Sequence, residues 1–257
     1  MAKSRSTGSS RKTEMIKNIL GRVFTIWGGL VFISTMLIFI VPIWATIMLP
    51  EPNRTAWVIR LCRAWMAVFF PLAGIRVRIT GKDKFKKGEN YIVVCNHNSL
   101  MDVPLSCPGI PGANKTIAKI EMSRVPLFGI IYKRGSVLLD RTSDSSRKQS
   151  YLQMKEVLAL GMHMCIYPEG TRNKTGNPLK SFHDGAFRLS YDTGKKIIPC
   201  VIRGTGKMLP HDKSFFFWPG KASMEFLDPV DPSSFANAGD MKEYIYGVMW
   251  NKIGVRS

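Results

Sequence analysis

The stretch Asn96-His97-Asn98-Ser99-Leu100-Met101-Asp102 sets an imidazole and a carboxylate five positions apart, with four residues between them. Such a pair suits one kind of chemistry: the carboxylate fixes the imidazole tautomer and stabilises the imidazolium, so the His acts as a general base. In a regular helix, residues five apart lie about 140° round from each other, too far for an easy hydrogen bond. If a helix starts at Ser99, however, His97 lies before it and folds back toward Asp102 in its first turn. A bland reading competes, since Ser99 with Asp102 three residues on resembles a capping box. Taken alone, the pair reads more readily as that cap.

Two further clusters carry polar chemistry. In Tyr167-Pro168-Glu169-Gly170-Thr171-Arg172, Gly170 permits a tight turn with exposed amides. Arg172 offers a planar fork suited to phosphate, and Glu169 could orient a hydroxyl or steer that Arg. In the run from Lys133-Arg134-Gly135 to Asp140-Arg141, Arg141 at a strand end is a second candidate anion ligand. A surface loop with a structural ion pair, or a solvated charge, explains these as well. The sequence has no GxSxG elbow, and Gly204-Thr205-Gly206-Lys207 lacks the preceding Gly of a Walker A loop. With no Ser or Cys nucleophile beside a base, direct attack by a substrate hydroxyl is the simpler scheme.

The elements that must hold these residues can be read from periodicity. Strands are expected at Arg76–Thr80, Tyr91–Cys95, Thr116–Ile120, Val137–Leu139, His163–Tyr167, Ile197–Val201 and Ser223–Leu227. Helices are expected at Ser145–Leu160 (N-cap Asp144 or Ser145), Asp184–Thr193 and Met241–Lys252. This alternation predicts an α/β fold with a mostly parallel central sheet and flanking helices. The polar motifs after residues 95, 139, 167 and 201 all fall at strand carboxyl ends, where such sheets bind ligands.

The N-terminal part differs. Residues 1–14 are polar and basic and predict a disordered tail. From Val23 to Pro50 there is no charged residue; as a helix this run spans about 42 Å, more than the ~30 Å hydrocarbon core. A second apolar run, Ala64–Ile75, is too short to span alone. Residues 15–75 thus predict a membrane-embedded two-helix motif, either a crossing and return or a hairpin in one leaflet. The hairpin is favoured because the basic residues on both sides then share one face. Pro42 is a candidate kink or stop for the first helix.

The chain of 257 residues has 37 Lys and Arg against 18 Asp and Glu, a net charge of +19, which implies anionic partners. Nucleic acid is disfavoured by scattered charge and the absence of a nucleic-acid motif. The five cysteines show no CxxC or zinc-ligand spacing, so no metal site is expected and the thiols read as buried and free.

Four blocks in order, Asn96-His97-x4-Asp102, Gly135 to Arg141, Tyr167-Pro168-Glu169-Gly170-Thr171-Arg172 and Ile198-Pro199-Cys200-Val201, resemble those of the glycerolipid acyltransferases. Within that family the chain is most similar to the bacterial 1-acyl-sn-glycerol-3-phosphate acyltransferases, over about residues 76–203. The resemblance implies an acyltransferase domain over 76–257 that moves a fatty acyl group to the 2-hydroxyl of 1-acyl-glycerol-3-phosphate. It implies His97 as general base and Asp102 as its orienter, with Arg141, Glu169, Gly170, Thr171 and Arg172 holding the acceptor. Lys119 is a further phosphate candidate. The implied donor is an acyl thioester of coenzyme A or acyl carrier protein, a co-substrate, with no cofactor. The implied partners are a lysophospholipid and membrane lipid, at the cytoplasmic face of the bacterial inner membrane. Two alternatives stand beside this: acylation of another lyso-lipid such as lyso-ornithine lipid, and a non-catalytic basic membrane-bound protein.

Overall fold

The computed structural model describes residues 6–140 and 142–254. In chain order its elements are helices α1 (Ser6–Ala45) and α2 (Asn53–Leu72), then strand β1 (Arg76–Thr80), β2 (Ile92–Cys95), α3 (Asp102–Gly109), β3 (Asn114–Lys119), α4 (Phe128–Gly135), β4 (Ser136–Leu139) and α5 (Asp144–Ala159). They continue as β5 (His163–Ile166), α6 (Gly185–Thr193), β6 (Ile197–Arg203), α7 (Thr205–Met208), β7 (Lys221–Phe226) and α8 (Ala238–Gly254).

The strands form one sheet in the order β1-β7-β6-β2-β5-β3-β4. β6, β2, β5, β3 and β4 all run parallel, while β7 pairs antiparallel with β6 and carries β1 parallel to itself. The fold is α/β with a mostly parallel sheet, as the alternating pattern predicts. Every residue of β2 and β5 is buried, which accounts for the apolar runs Ile92–Cys95 and Met164–Ile166. Alternate side chains serve different cores. Val93 and Cys95 pack with α2 and α3 residues such as Phe69 and Leu105. Ile92 and Val94 pack with Val157, Phe187 and Ile245 of α5, α6 and α8.

Helix boundaries depart from expectation where side chains cap them. Ser143 Oγ accepts from Ser146 N, so Ser143 rather than Asp144 or Ser145 caps α5. Asn237 Oδ1 accepts from the amides of Gly239 and Asp240, so α8 starts three residues before the expected Met241. Residues 6–14, expected to be a disordered tail, continue α1. Extending an existing helix avoids the nucleation cost, which outweighs the weak propensity of Ser, Thr and Gly. α1 also continues through Pro42 to Ala45.

By length and composition α1 and α2 are each sufficient to cross a membrane; the second run, expected at Ala64–Ile75 and too short to span alone, is instead part of a 20-residue helix that starts at Asn53. α1 exposes a stripe that includes Ile26, Leu30, Ile33, Leu37, Val41 and Trp44. Its other face packs mainly on α2, and the α/β domain meets it at separate points. Phe217 N donates to Gly21 O, and Phe216 lies where a Cβ on Gly21 would stand. Further along, the Phe32 ring meets those of Trp65, Phe69 and Phe128. Near its carboxyl end the Arg134 guanidinium donates to Ile43 O. Arg63 of α2 donates to Pro108 O and Ile110 O at the carboxyl end of α3.

Candidate active site

The site starts with a side chain that imitates backbone. Asn96, fully buried just past β2, donates through Nδ2 to Ile202 O at 2.9 Å and accepts at Oδ1 from Ile202 N at 2.7 Å. These two bonds extend the β2–β6 ladder beyond its last register pair, Cys95 and Cys200. They fix where His97 leaves the sheet.

Asp102 is the first residue of α3 and is 0% exposed. Its Oδ2 accepts from Asn98 N at 2.7 Å and Ser99 N at 2.8 Å, and it lies 2.8 Å from His97 Nδ1. One oxygen therefore closes the turn before the helix and holds the imidazole. Of the expected capping box only the bond from Ser99 N to Asp102 is made, because Ser99 lies before the helix and does not cap it. The helix begins at Asp102 and not at Ser99, so the intervening residues form the turn that lets His97 fold back.

The backbone of His97 is gripped from the second polar cluster. His97 N donates to Glu169 Oε1 at 2.7 Å, and His97 O accepts from Asn173 N at 2.6 Å. The Tyr167 ring backs the imidazole at a centroid distance of 4.5 Å. The Tyr167 hydroxyl is 2.7 Å from Ser106 Oγ, one turn along α3 from Asp102. The His97 side chain keeps 18% exposure, enough to meet a substrate.

Glu169 is 1% exposed, and its second oxygen, Oε2, accepts from Lys180 N at 2.9 Å. Burial pushes its carboxyl up, and the bonds from the His97 and Lys180 amides oppose that shift. The resemblance implies a contact between Glu169 and the acceptor. In the structure both carboxylate oxygens are instead taken by backbone amides. Gly170 has φ +68°, and a Cβ there would meet the His183 ring at 2.8 Å, so a side chain is excluded twice over. Thr171 is exposed and accepts from Lys180 Nζ at 2.8 Å. Arg172 is half-buried, with no side-chain hydrogen bond or ion pair among the described residues.

His97, Asp102, Glu169, Gly170, Thr171 and Arg172 are thus brought to one place at the carboxyl ends of β2 and β5. Lys119 ends β3 on the same edge, exposed, two strands from β2. Arg141 lies outside the described residues. Sequence reasoning gave no part to Asn173 and Ser106. Their bonds join segments distant in the chain, and no local pattern announces them.

An apolar cavity of about 340 Å³ opens beside the pair. Leu100 and Met101, from the turn between His97 and Asp102, form part of its wall. Phe32, Trp65 and Phe69 from the two N-terminal helices and Tyr132 from α4 form much of the rest.

The family model of the acyltransferases matches residues 76–203, from the first residue of β1 to the last of β6. The chain is 27% identical over 230 residues to the 1-acyl-sn-glycerol-3-phosphate acyltransferase of Haemophilus influenzae, covering 87% of this chain and 92% of that one. It is 30% identical over 152 residues to the protein of the same name from Borreliella burgdorferi, covering 56% of this chain and 58% of that one. The crystal structure of the 1-acyl-sn-glycerophosphate acyltransferase of Thermotoga maritima superposes with a TM-score of 0.72 at 25% identity, over 95% of this chain and 98% of that one. A His–Asp pair at the sheet's carboxyl edge, the ordered blocks around it and these likenesses lead to one conclusion: the chain belongs to the acyltransferase family, and it is an enzyme.

Proposed function

We propose that the enzyme transfers a fatty acyl group from an acyl thioester to the 2-hydroxyl of 1-acyl-glycerol-3-phosphate, giving phosphatidic acid. The observation that carries this reading is the His97–Asp102 contact at 2.8 Å beside an apolar cavity walled by the same turn. With Nδ1–H directed at Asp102, Nε2 is left to accept the proton of the acceptor hydroxyl. The oxygen attacks the thioester carbonyl, the C–S bond breaks, and His97 returns the proton to the leaving thiolate. Coenzyme A and acyl carrier protein present the same thioester to this chemistry, and no step is assigned to a metal or cofactor. Glu169 acts as a positioning residue. Thr171 and Arg172, with Lys119 across the edge and Arg141 from the resemblance, are assigned to the acceptor phosphate and glycerol. The cavity takes an acyl chain.

The two-helix motif sits in one leaflet, at the cytoplasmic face of the bacterial inner membrane. Supporting this, the α/β domain touches α1 at both Gly21 and Ile43, about 33 Å apart along the helix. A bilayer crossing would draw those domain contacts into hydrocarbon. Lying flat, α1 instead presents its apolar stripe to lipid and its other face to α2 and the domain.

The test is acylation of lysophosphatidate by purified protein and acyl-coenzyme A, followed by thiol release. His97→Ala should lower kcat by about 10²–10⁴-fold. Full activity in that variant would refute the mechanism.

A further inference from the structure

Lys180 lies outside the residues given a role so far. Its backbone N–H is bound to Glu169 Oε2, the partner of the oxygen that binds His97 N. One buried carboxylate therefore sets the distance between the imidazole and the start of the Lys180 side chain. The Nζ of Lys180 reaches back over the turn and donates to Thr171 Oγ1 at 2.8 Å. Among the described residues this ammonium has no carboxylate within ion-pair distance. Glu169 feels its charge, but the side-chain hydrogen bond this cation makes among the described residues goes to a neutral hydroxyl, and it gains by meeting an anion, because charge-assisted hydrogen bonds are the stronger kind.

The chemistry of the acceptor matches this placement. In a 1-acyl-glycerol-3-phosphate, the phosphate is one carbon and one ester oxygen from the carbon that bears the reacting hydroxyl. A headgroup whose hydroxyl lies at His97 has its phosphate within a lysine's reach, on the side where the turn ends in Thr171 and Arg172. We infer that Lys180 is a ligand of the acceptor's phosphomonoester, held ready by Thr171, and that it selects a dianionic headgroup over a zwitterionic one. Lys180 Nζ passes from the Thr171 hydroxyl to a phosphate oxygen, and the Thr171 hydroxyl is then free to donate to the same phosphate. This deepens the proposed function and rests on it for the position of the hydroxyl.

Coenzyme A also carries a phosphomonoester, on its ribose, so the test must separate the two sources. Full-length protein in detergent is assayed with lysophosphatidate and acyl-coenzyme A varied in turn, for wild type, Lys180→Met and Lys180→Arg. Lys180→Met should raise the acceptor KM about tenfold, with kcat and the donor KM nearly unchanged, and Lys180→Arg should restore most of the loss. Calorimetric titration with dodecyl phosphate, which has no hydroxyl to acylate, should show the same loss of affinity in Lys180→Met. Titration with dodecylphosphocholine should show none. An unchanged acceptor KM in Lys180→Met would overturn the inference, and so would a rise in the donor KM alone. If wild type binds dodecyl phosphate through Lys180 yet fails to acylate lysophosphatidate, the ligand assignment stands and the proposed function falls. If acylation proceeds and Lys180→Met matches wild type in every arm, the reverse holds.

Discussion

The backbone N–H of His97 donates to Oε1 of Glu169 at 2.7 Å, across 72 residues of chain. The candidate base is thus placed by its main chain as well as by its side chain. Asp102 sets the ring, and Glu169 and Asn173 set the backbone that carries it.

Glu169→Gln tests that relationship. A glutamine can accept from only one of the two amides, and its own N–H₂ then faces the other. A buried donor left unpaired costs about 1–3 kcal/mol. The variant should lose several degrees in Tm, and kcat should fall by roughly tenfold or more as His97 is misplaced. Thermal melts and steady-state kinetics check it, and wild-type values for both would remove Glu169 from the positioning role.

The cavity predicts acyl-chain discrimination. Cys107 of α3 lines it, so Cys107→Phe shortens the available space. Each methylene of the transferred chain that is excluded forfeits about 0.8 kcal/mol of burial. Competition assays with acyl-coenzyme A of graded length should show the optimum moving to shorter chains. An unmoved optimum would mean that this cavity does not hold the transferred chain.

Leu37 and Trp44 lie on the exposed stripe of α1, 49% and 58% exposed. Burial of such a side chain contributes about 1.5–3 kcal/mol. The double variant Leu37→Asp/Trp44→Asp should shift the protein from the vesicle pellet to the supernatant by well over tenfold, while His97→Ala stays with the vesicles. Sedimentation with phospholipid vesicles decides between them.

His163 supplies a pH dependence of stability. It is 7% exposed, its Nδ1 accepts from Tyr91 N at 3.0 Å, and burial pulls its pKa from 6.5 to about 4. Between those values the unfolded chain binds a proton that the folded chain does not. The contribution of neutral His163 is therefore complete above pH 6.5 and is lost as pH falls toward 4. The loss amounts to roughly 3 kcal/mol at most. Denaturant titrations should show stability falling over this range, and His163→Asn, which keeps an acceptor for Tyr91 N, should flatten that slope.

Much of this molecule was legible from local pattern. The fully buried strand β2 is an unbroken apolar run and β5 is one after His163, and such runs survive in sequence because both faces of a central strand must be covered. Their positions put His97 and the Glu169 turn on one edge. The order of the blocks gave the family. Cap positions were read less well, because Ser143 competes with Asp144 and Ser145 on nearly equal chemistry.

What the sequence determined by itself was the seven strands, the longer flanking helices, the edge on which the polar residues gather and the apolar character of the N-terminal helices; the short helix α7 was not among them. Tertiary structure alone decided how His97 is held. The bonds from Asn96 to Ile202, from His97 to Glu169 and from Tyr167 to Ser106 span 106, 72 and 61 residues. Periodicity reports which face of an element is apolar, and it carries no record of which distant group satisfies a buried amide. The same limit applies to α1, whose contacts with Phe217 at Gly21 and with Arg134 at Ile43 no periodicity announces.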